Sequence, residues 1–401
     1  MYNVKKITDD LFWVGGNDRR LALFENVYPI PEGISYNSYV LMDEKTVLLD
    51  TADSAIMELF TENVKAVLNG RKLDYIIVNH MEPDHSASLM RIAELYPEAR
   101  IVTSAKAKTM MGQFFDFDMD RVDVVKEGDT LTTGRHTLTF VAAPMVHWPE
   151  VIFTFDQTDG TLFSADAFGT FGALNGNLFA DEVNFETEWL ASARRYYTNI
   201  VGKYGPQVQK VLEKAGGLNI RRICPLHGPV WRENIGWFID RYQHWATCTP
   251  EDKGVVIFVG SIYGHTQNAA DVLASAIADE GIHNVKVYDV SVTDASYLLA
   301  EAFRASHLVF ASATYNNEIF TNMEHFLMEL KEHAFHSRTV AVMENGTWAP
   351  QSGKKIRAML EEMKDMTVLD QTVTFKSAPK EAQRADILAL AKAVADAVKA
   401  S

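Results

Sequence analysis

A chain of 401 residues is longer than one ordinary core and points to two domains. Its hydrophobic content of 47% fits a soluble globular protein, and no apolar run approaches the ~18 residues of a membrane span. The net charge of −15 argues against nucleic acid as a partner, because phosphate backbones need basic surface. The N-terminal MYNVKKITDD lacks the apolar core of a signal peptide, which predicts a cytoplasmic protein. Cys224 and Cys248 are too few for an iron–sulfur cluster or a cysteine-based zinc site, and they are expected to be reduced thiols.

The first part of the chain reads as strands. Leu11–Val14 is apolar and precedes Gly15-Gly16, and Tyr36–Met42 and Thr46–Leu49 read as a hairpin around Asp43-Glu44-Lys45. Ala55 to Leu68 has helical spacing and stops at Asn69-Gly70, a natural C-cap. The apolar Tyr75–Val78 then leads into HMEPDH, where His80, Glu82, Asp84 and His85 crowd four metal-ligand types into six residues. Helix-prone residues follow from Ser86 to Leu95, so the motif is expected on a loop at the end of a buried strand. A strand at Ile101–Thr103, a helix near Ala105–Phe115 and a strand-rich block from Val122 to Ser164 come next. Glu186 to Leu212 looks mainly helical, with an interruption near Gly202–Pro206, and Arg222–Pro225 is a short strand.

Three further ligand-type residues end separate strands or strand-rich segments of this half. His147 stands in PMVHWPE, Asp166 in SADAFG and His227 in CPLHGP. One such histidine alone is usually a structural residue. Three of them, on the half that already carries HxExDH, point to a binuclear metal site.

Ala246–Gly254 is polar, carries Pro250 and Gly254, and reads as a linker. Beyond it, strands at Val255–Val259, Val285–Val290, Leu308–Ser312, Thr339–Met343 and Val368–Phe375 alternate with helices at Thr266–Glu280, Ala295–Ala305, Met323–Glu332, Gln351–Met363 and Glu381–Ala400. Nearly all-apolar strands in this alternation predict a parallel sheet covered on both faces. The first of them ends in GSIYGHT, where Ser261, Tyr263 and Thr266 offer hydroxyls, Gly264 permits close backbone approach, and a helix begins. With Ile262 and His265 this loop reads as a phosphate cradle on a helix N-terminus. It lacks the Walker pattern and the GxGxxG fingerprint. Thr314-Tyr315-Asn316-Asn317 and Asn345-Gly346-Thr347-Trp348 lie at the ends of later strands, where ligands bind in such sheets.

HxExDH followed by His147, Asp166 and His227 resembles the flavodiiron proteins, a branch of the metallo-β-lactamase superfamily. SxYGxT on a five-stranded unit resembles the FMN phosphate loop of flavodoxins. The resemblance covers essentially the whole chain. It implies an α+β, αββα metallo-β-lactamase-like sandwich over residues 1–249 and an α/β, flavodoxin-like doubly wound five-stranded parallel sheet over residues 250–401. It further implies that His80, Glu82 and His147 bind one iron, that Asp84, His85 and His227 bind the other, and that Asp166 bridges them. Superfamily hydrolases look like HxHxDH and hold zinc. Glu82 replaces the second histidine here and makes a harder, more anionic set that suits iron. Trp148 is expected to wall the pocket. Tyr196 or Tyr197 is a candidate hydrogen-bond donor to bound substrate, with helix packing as the alternative for each. Some family members carry a histidine near the irons close to the N-terminus; Phe24 or Glu25 stands in that neighbourhood here.

The implied activity is reduction of O₂ to water, of NO to N₂O, or of both. Reducing O₂ to water takes four electrons, which a diferrous pair and a reduced FMN together supply. The family further implies a head-to-tail homodimer, or a dimer of such dimers. With no CxxC module after the last helix, the donor is expected to be a separate rubredoxin or a reduced deazaflavin. The rival readings are a binuclear zinc hydrolase with a fused flavodoxin domain and a non-catalytic flavin electron carrier.

Overall fold

The computed structural model describes residues 1–116 and 118–401. The chain divides into two compact units, Met1–Gln243 and His244–Ser401. Among the described residues no helix is long and apolar enough to cross a membrane.

The first unit holds two main sheets. One has seven strands, in the order Lys5–Lys6, Leu11–Trp13, Tyr39–Met42, Thr46–Leu49, Tyr75–Ile77, Arg100–Ser104 and Val122–Val125. The other has five, in the order Thr130–Thr132, Thr137–Ala142, Ile152–Asp156, Thr161–Phe163 and Arg222–Cys224. Thr46–Leu49 and Ile152–Asp156 are buried along their whole length, as strands packed on both faces must be. The sheets meet through side chains. The Tyr39 ring lies 5.5 Å from that of Phe163, and the Tyr39 hydroxyl donates to the Pro225 carbonyl at 2.6 Å. The expected hairpin forms with Met42 opposite Thr46, and the helix Met57–Leu68 ends on Asn69 at φ 45°.

Two local features depart from the sequence reading. Asp84 and His85 lie in a helical turn, Pro83–Ser86, rather than on a loop. Pro83 occupies the first turn, where its missing N–H costs nothing, and so starts the helix within the motif. The long helical stretch breaks into Leu190–Tyr196, a π-helical Tyr197–Val201 and a 3₁₀ turn before Gly205–Ala215. A π segment inside a helix is a frequent mark of a functional site.

In the second unit five parallel strands run in the order Val285–Asp289, Asp252–Gly260, Ala305–Tyr315, Thr339–Asn345 and Thr367–Phe375. Asp252–Gly260 begins inside the stretch read as a linker. Successive residues of one strand feed opposite cores. Val256 and Phe258 pack with Leu308, Phe310 and Phe326, while Val255, Ile257 and Val259 pack with Leu273, Leu390 and Val394. That double burial is why these strands read as unbroken apolar runs.

Candidate metal centre and flavin cleft

The strand ends of the first unit converge on one site. His80 follows Tyr75–Ile77, Asp166 follows Thr161–Phe163, and His227 follows Arg222–Cys224. His147 lies between Thr137–Ala142 and Ile152–Asp156. Asp84 and His85 come from the turn after His80, whose N-cap is Glu82. All seven side chains are buried.

They form two groups, His80–Glu82–His147–Asp166 and Asp84–His85–His227. In the first, Nε2 of His80 lies 3.2 Å from Glu82 Oε2 and 3.1 Å from Asp166 Oδ2, and Nε2 of His147 lies 3.0 and 3.1 Å from the same two oxygens. In the second, Nε2 of His85 and Nε2 of His227 are 3.0 Å apart, and each is 3.2 Å from Asp84 Oδ2. Asp166 turns its other oxygen, Oδ1, toward His85 at 3.2 Å and His227 at 3.5 Å. One carboxylate thus faces both groups, an oxygen to each.

These spacings fit metal ions. Donors about 2.1 Å from an ion in octahedral array stand about 3.0 Å from one another. Asp84 Oδ1 and Asp166 Oδ1, buried with no hydrogen-bond partner among the described residues, are otherwise costly arrangements. Electrostatics agrees. Burial disfavours charge on these groups, yet their neighbours outweigh it. Asp84 and Asp166 push the His85 imidazole up to about 10, and Asp166 and Glu82 push that of His147 up to about 9. Against the same burial, the histidines hold the Asp166 carboxyl well below its ordinary range. The site is built for positive charge.

A second ring of residues aims the ligands. His80 Nδ1 pairs with Glu150 Oε1 at 2.7 Å, and His227 Nδ1 donates to the Ser35 carbonyl at 2.7 Å, which frees each Nε2 to bind metal. Asp50 ends the strand Thr46–Leu49 and accepts from the backbone N–H groups of Asn79 and His80 at 2.7 and 3.2 Å. Sequence reasoning passed over Asp50 and Glu150. Asp50 carries the same sign as His80, a polar residue closing an apolar strand.

Around the centre, the Trp148 ring stands edge-on to His80 at 5.3 Å and closes one wall. The two tyrosines separate. Tyr196 lies 5.4 Å from the His227 ring, and its buried hydroxyl finds no hydrogen-bond partner among the described residues. Tyr197, one helical step on, stands edge-on to Tyr242 at 4.7 Å instead. Burial and the nearby carboxylates raise the Tyr196 hydroxyl far above its usual range, so it stays protonated and able to donate. Phe24 packs edge-on to His227 at 5.4 Å. Glu25, next along the chain, stands exposed, and partial desolvation together with the Glu82 carboxylate pushes its carboxyl up to about 8.

In the second unit Ser261, Ile262, Tyr263, His265, Thr266, Thr314, Asn345, Gly346 and Thr347 line one cleft with Ala313 and Ser377. Ser377 follows the last strand and was not foreseen, although it obeys the same rule of strand carboxyl ends. Gly264, at φ 86°, caps the helix His265–Asp279 and donates its N–H to Ser261 Oγ at 3.1 Å. Tyr315, Asn316, Asn317 and Trp348 are not among the lining residues and stand exposed. Asn316 and Asn317, at φ 53° and 63°, form the two-residue turn of a hairpin between Thr314-Tyr315 and Glu318-Ile319. The cleft fits a flavin phosphate at a helix N-terminus. Asn345 Oδ1, buried and without a partner among the described residues, offers an acceptor for the rest of the flavin.

A family model described as ODP family beta lactamase matches residues 34–228. The chain is 33% identical over 362 residues to an anaerobic nitric oxide reductase flavorubredoxin of Vibrio vulnificus, covering 89% of this chain and 72% of that protein. Rubredoxin oxygen:oxidoreductase of Desulfovibrio gigas superposes with a TM-score of 0.93 at 29% identity over 99% of both chains. The flavodiiron protein of Giardia intestinalis superposes with a TM-score of 0.94 at 25% identity, over 100% of this chain and 98% of that one. Paired carboxylate-rich metal groups in one unit, a flavin cleft in the other and these likenesses over nearly the full length lead to one conclusion: the chain belongs to the flavodiiron proteins, oxidoreductases that carry FMN and a diiron centre.

Proposed function

We propose that this chain is a cytoplasmic reductase of O₂, NO or both, in which electrons from a rubredoxin-type donor reach a diiron centre through FMN. His80, Glu82, His147 and Asp166 hold one iron, and Asp84, His85, His227 and Asp166 hold the other. Residues 1–249 form the diiron domain and residues 250–401 the FMN domain, and two chains pair head to tail. The observation that carries the reading is the shared Asp166, one oxygen facing each group, within a set of four imidazoles and three carboxylates. Such a set favours iron over the nitrogen-rich surroundings of hydrolytic zinc. The relatives support the substrates and donor through their names, nitric oxide reductase flavorubredoxin in one case and rubredoxin oxygen:oxidoreductase in the other.

When bound, the two cofactors supply electron storage and open positions for a diatomic gas. The protein does the rest. Glu150 and the Ser35 carbonyl orient His80 and His227. Trp148, Phe24 and Tyr196 wall the pocket with rings and exclude water, and the Tyr196 hydroxyl holds a proton beside His227.

Parallel assays of O₂ and NO consumption with the same reduced rubredoxin test this reading. Iron- and FMN-replete protein is expected to consume at least one gas, and consumption of neither refutes it. Asp166→Ala is expected to lose at least one iron and all gas consumption while keeping FMN. Full activity in that variant contradicts the bridging role.

A further inference from the structure

The two metal groups are matched in their donors. Each brings two imidazoles and one carboxylate of its own, and Asp166 faces both. Ligand type and charge therefore do not tell one iron from the other. What stands behind the imidazoles does. His80 Nδ1 meets the Glu150 carboxylate at 2.7 Å, whereas His227 Nδ1 donates to the neutral Ser35 carbonyl at the same distance of 2.7 Å. His85 Nδ1 is buried with no hydrogen-bond partner among the described residues. Among those residues Glu150 is the only carboxylate hydrogen-bonded to Nδ1 of a ligand histidine.

Glu150 is held firmly in that place. It precedes the strand Ile152–Asp156, and its carbonyl accepts from the Ser104 hydroxyl, at the end of Arg100–Ser104 in the other sheet, at 2.7 Å. Its side chain is fully buried. Oε1 faces His80 Nδ1 and accepts from the Met81 backbone N–H at 3.0 Å, while Oε2 has no hydrogen-bond partner among the described residues. A buried carboxylate so placed needs positive charge nearby, and the metal on the far side of the His80 ring supplies it. Asp50 is buried in the same region, but it accepts from an amide side chain and two backbone N–H groups and meets no imidazole.

We propose that Glu150 is a positioning residue that also sets the redox order of the two irons, its charge acting through the His80 ring to favour the ferric state of the iron at His80, Glu82 and His147. A carboxylate behind a ligand histidine raises the basicity of the ligand, and a more basic ligand stabilises the higher metal charge. The first electron then leaves the diferrous centre from this iron, as Fe²⁺ becomes Fe³⁺. The second leaves from the iron at Asp84, His85 and His227. The acceptor is the gas in turnover and a one-electron mediator in the test. The proposal rests on the diiron reading above.

The test is an anaerobic redox titration of full-length protein loaded with FMN and two irons, as wild type, Glu150→Gln and Glu150→Asp. The mixed-valent diiron signal is followed by electron paramagnetic resonance and the flavin by absorbance. Glutamine keeps an oxygen to accept the His80 N–H and removes the charge, so it gives His80 the neutral kind of partner that His227 has. In Glu150→Gln the lower of the two iron couples is expected to rise by about 59 mV or more, a roughly tenfold change in the ferric-to-ferrous ratio. The gap between the couples narrows and the maximum mixed-valent signal falls, while iron content and the flavin couples stay as in wild type. A purely structural role moves none of these potentials. Glu150→Asp keeps the charge but draws it back by one methylene, and its lower couple is expected between the other two. Iron couples at wild-type positions in a fully loaded Glu150→Gln overturn the proposal and leave the diiron reading standing. A rise of the upper couple that widens the gap also overturns it, because Glu150 then acts on the iron oxidised last. Should Glu150→Gln fail to hold iron, Glu150→Asp decides: a raised lower couple supports the proposal, and an unmoved one refutes it. Wild-type protein that holds fewer than two irons after loading overturns the diiron reading itself, and this proposal with it.

Discussion

Asp50 shows how much of a metal site depends on residues that never touch the metal. Its carboxylate accepts three hydrogen bonds, from the Asn79 and His80 backbone N–H groups and from the Asn79 side-chain amide at 2.7 Å. All three residues are buried. Asp50→Ala removes every one of these acceptors at once. Each buried donor left unpaired costs about 1–3 kcal/mol. Iron affinity is expected to fall ~10-fold or more, the effect of losing an orienting partner behind a metal ligand. Iron analysis after dialysis against a chelator checks this, with FMN content as the internal control because Asp50 lies in the other compact unit. Wild-type iron retention in Asp50→Ala would remove Asp50 from the positioning role. At this scale the sequence was most legible where a residue's type and its place at a strand end coincide, as at His80, Asp166 and His227. It was least legible for the hairpin between Leu23–Phe24 and Tyr28–Pro29. Two-residue strands carry no alternation to read, and LALFENV has no glycine to announce left-handed backbone.

Among elements, the antiparallel block of the first unit is stapled to the N-terminal loop through His136. Its Nδ1 lies 2.7 Å from Asp156 Oδ2 and its Nε2 lies 3.0 Å from Asp10 Oδ2. Asp10 also pairs with Arg135, which in turn pairs with Asp159 at 3.3 Å. These groups resemble a metal cluster in type, but the Arg135 guanidinium already supplies the cation. Burial disfavours a charged His136, yet Asp156 and Asp10 outweigh it and push the imidazole up to about 9. Asp10 shifts the other way: burial opposes its charge, but His136 and Arg135 hold it at about 2. A raised histidine stabilises the folded state fully below the ordinary pKa of about 6.5 and loses that contribution as pH rises through 9. A depressed aspartate contributes above its ordinary value and loses the contribution as pH falls toward 2. The staple is therefore strongest between about pH 4 and 6.5. Melting temperature of the wild type is expected to exceed that of His136→Gln most at pH 6, and the gap is expected to shrink by pH 9.5. A gap that stays constant over this range excludes a charged His136. Element order was read well because burial on two faces leaves continuous apolar runs, as in Val255–Val259. The interruption expected near Gly202–Pro206 is there as a 3₁₀ turn, but the π segment before it at Tyr197–Val201 was not read, since it has no glycine or proline to mark it.

For the whole molecule, the metal groups and the flavin cleft belong to different compact units of one chain, so a working pair has to be completed either within a chain or between two. The proposed head-to-tail dimer makes the second choice, and complementary lesions separate the two. Asp166→Ala disables the metal centre and leaves the flavin cleft untouched. Gly264→Val puts a β-branched side chain at φ 86°, where only glycine is relaxed, and deforms the phosphate loop while leaving the metal ligands intact. Nothing lies within 4 Å of an added Cβ at Gly264, so the lesion acts through the backbone and not through a clash. Each variant alone lacks one end of the electron path and is expected to be inactive. In a mixed dimer, one chain brings FMN and the other brings iron. Transfer between chains restores one of two working pairs and about half of wild-type gas consumption, as a two-fold dimer requires. Transfer within a chain restores none, because neither chain is whole. Differently tagged chains, co-expressed and purified through both tags, give the measurement. One FMN and one complete two-iron centre per mixed dimer must accompany it, so that lost activity is not mistaken for lost cofactor. Activity near half places the electron path across the subunit boundary, and its absence in a fully loaded mixed dimer confines the path to one chain.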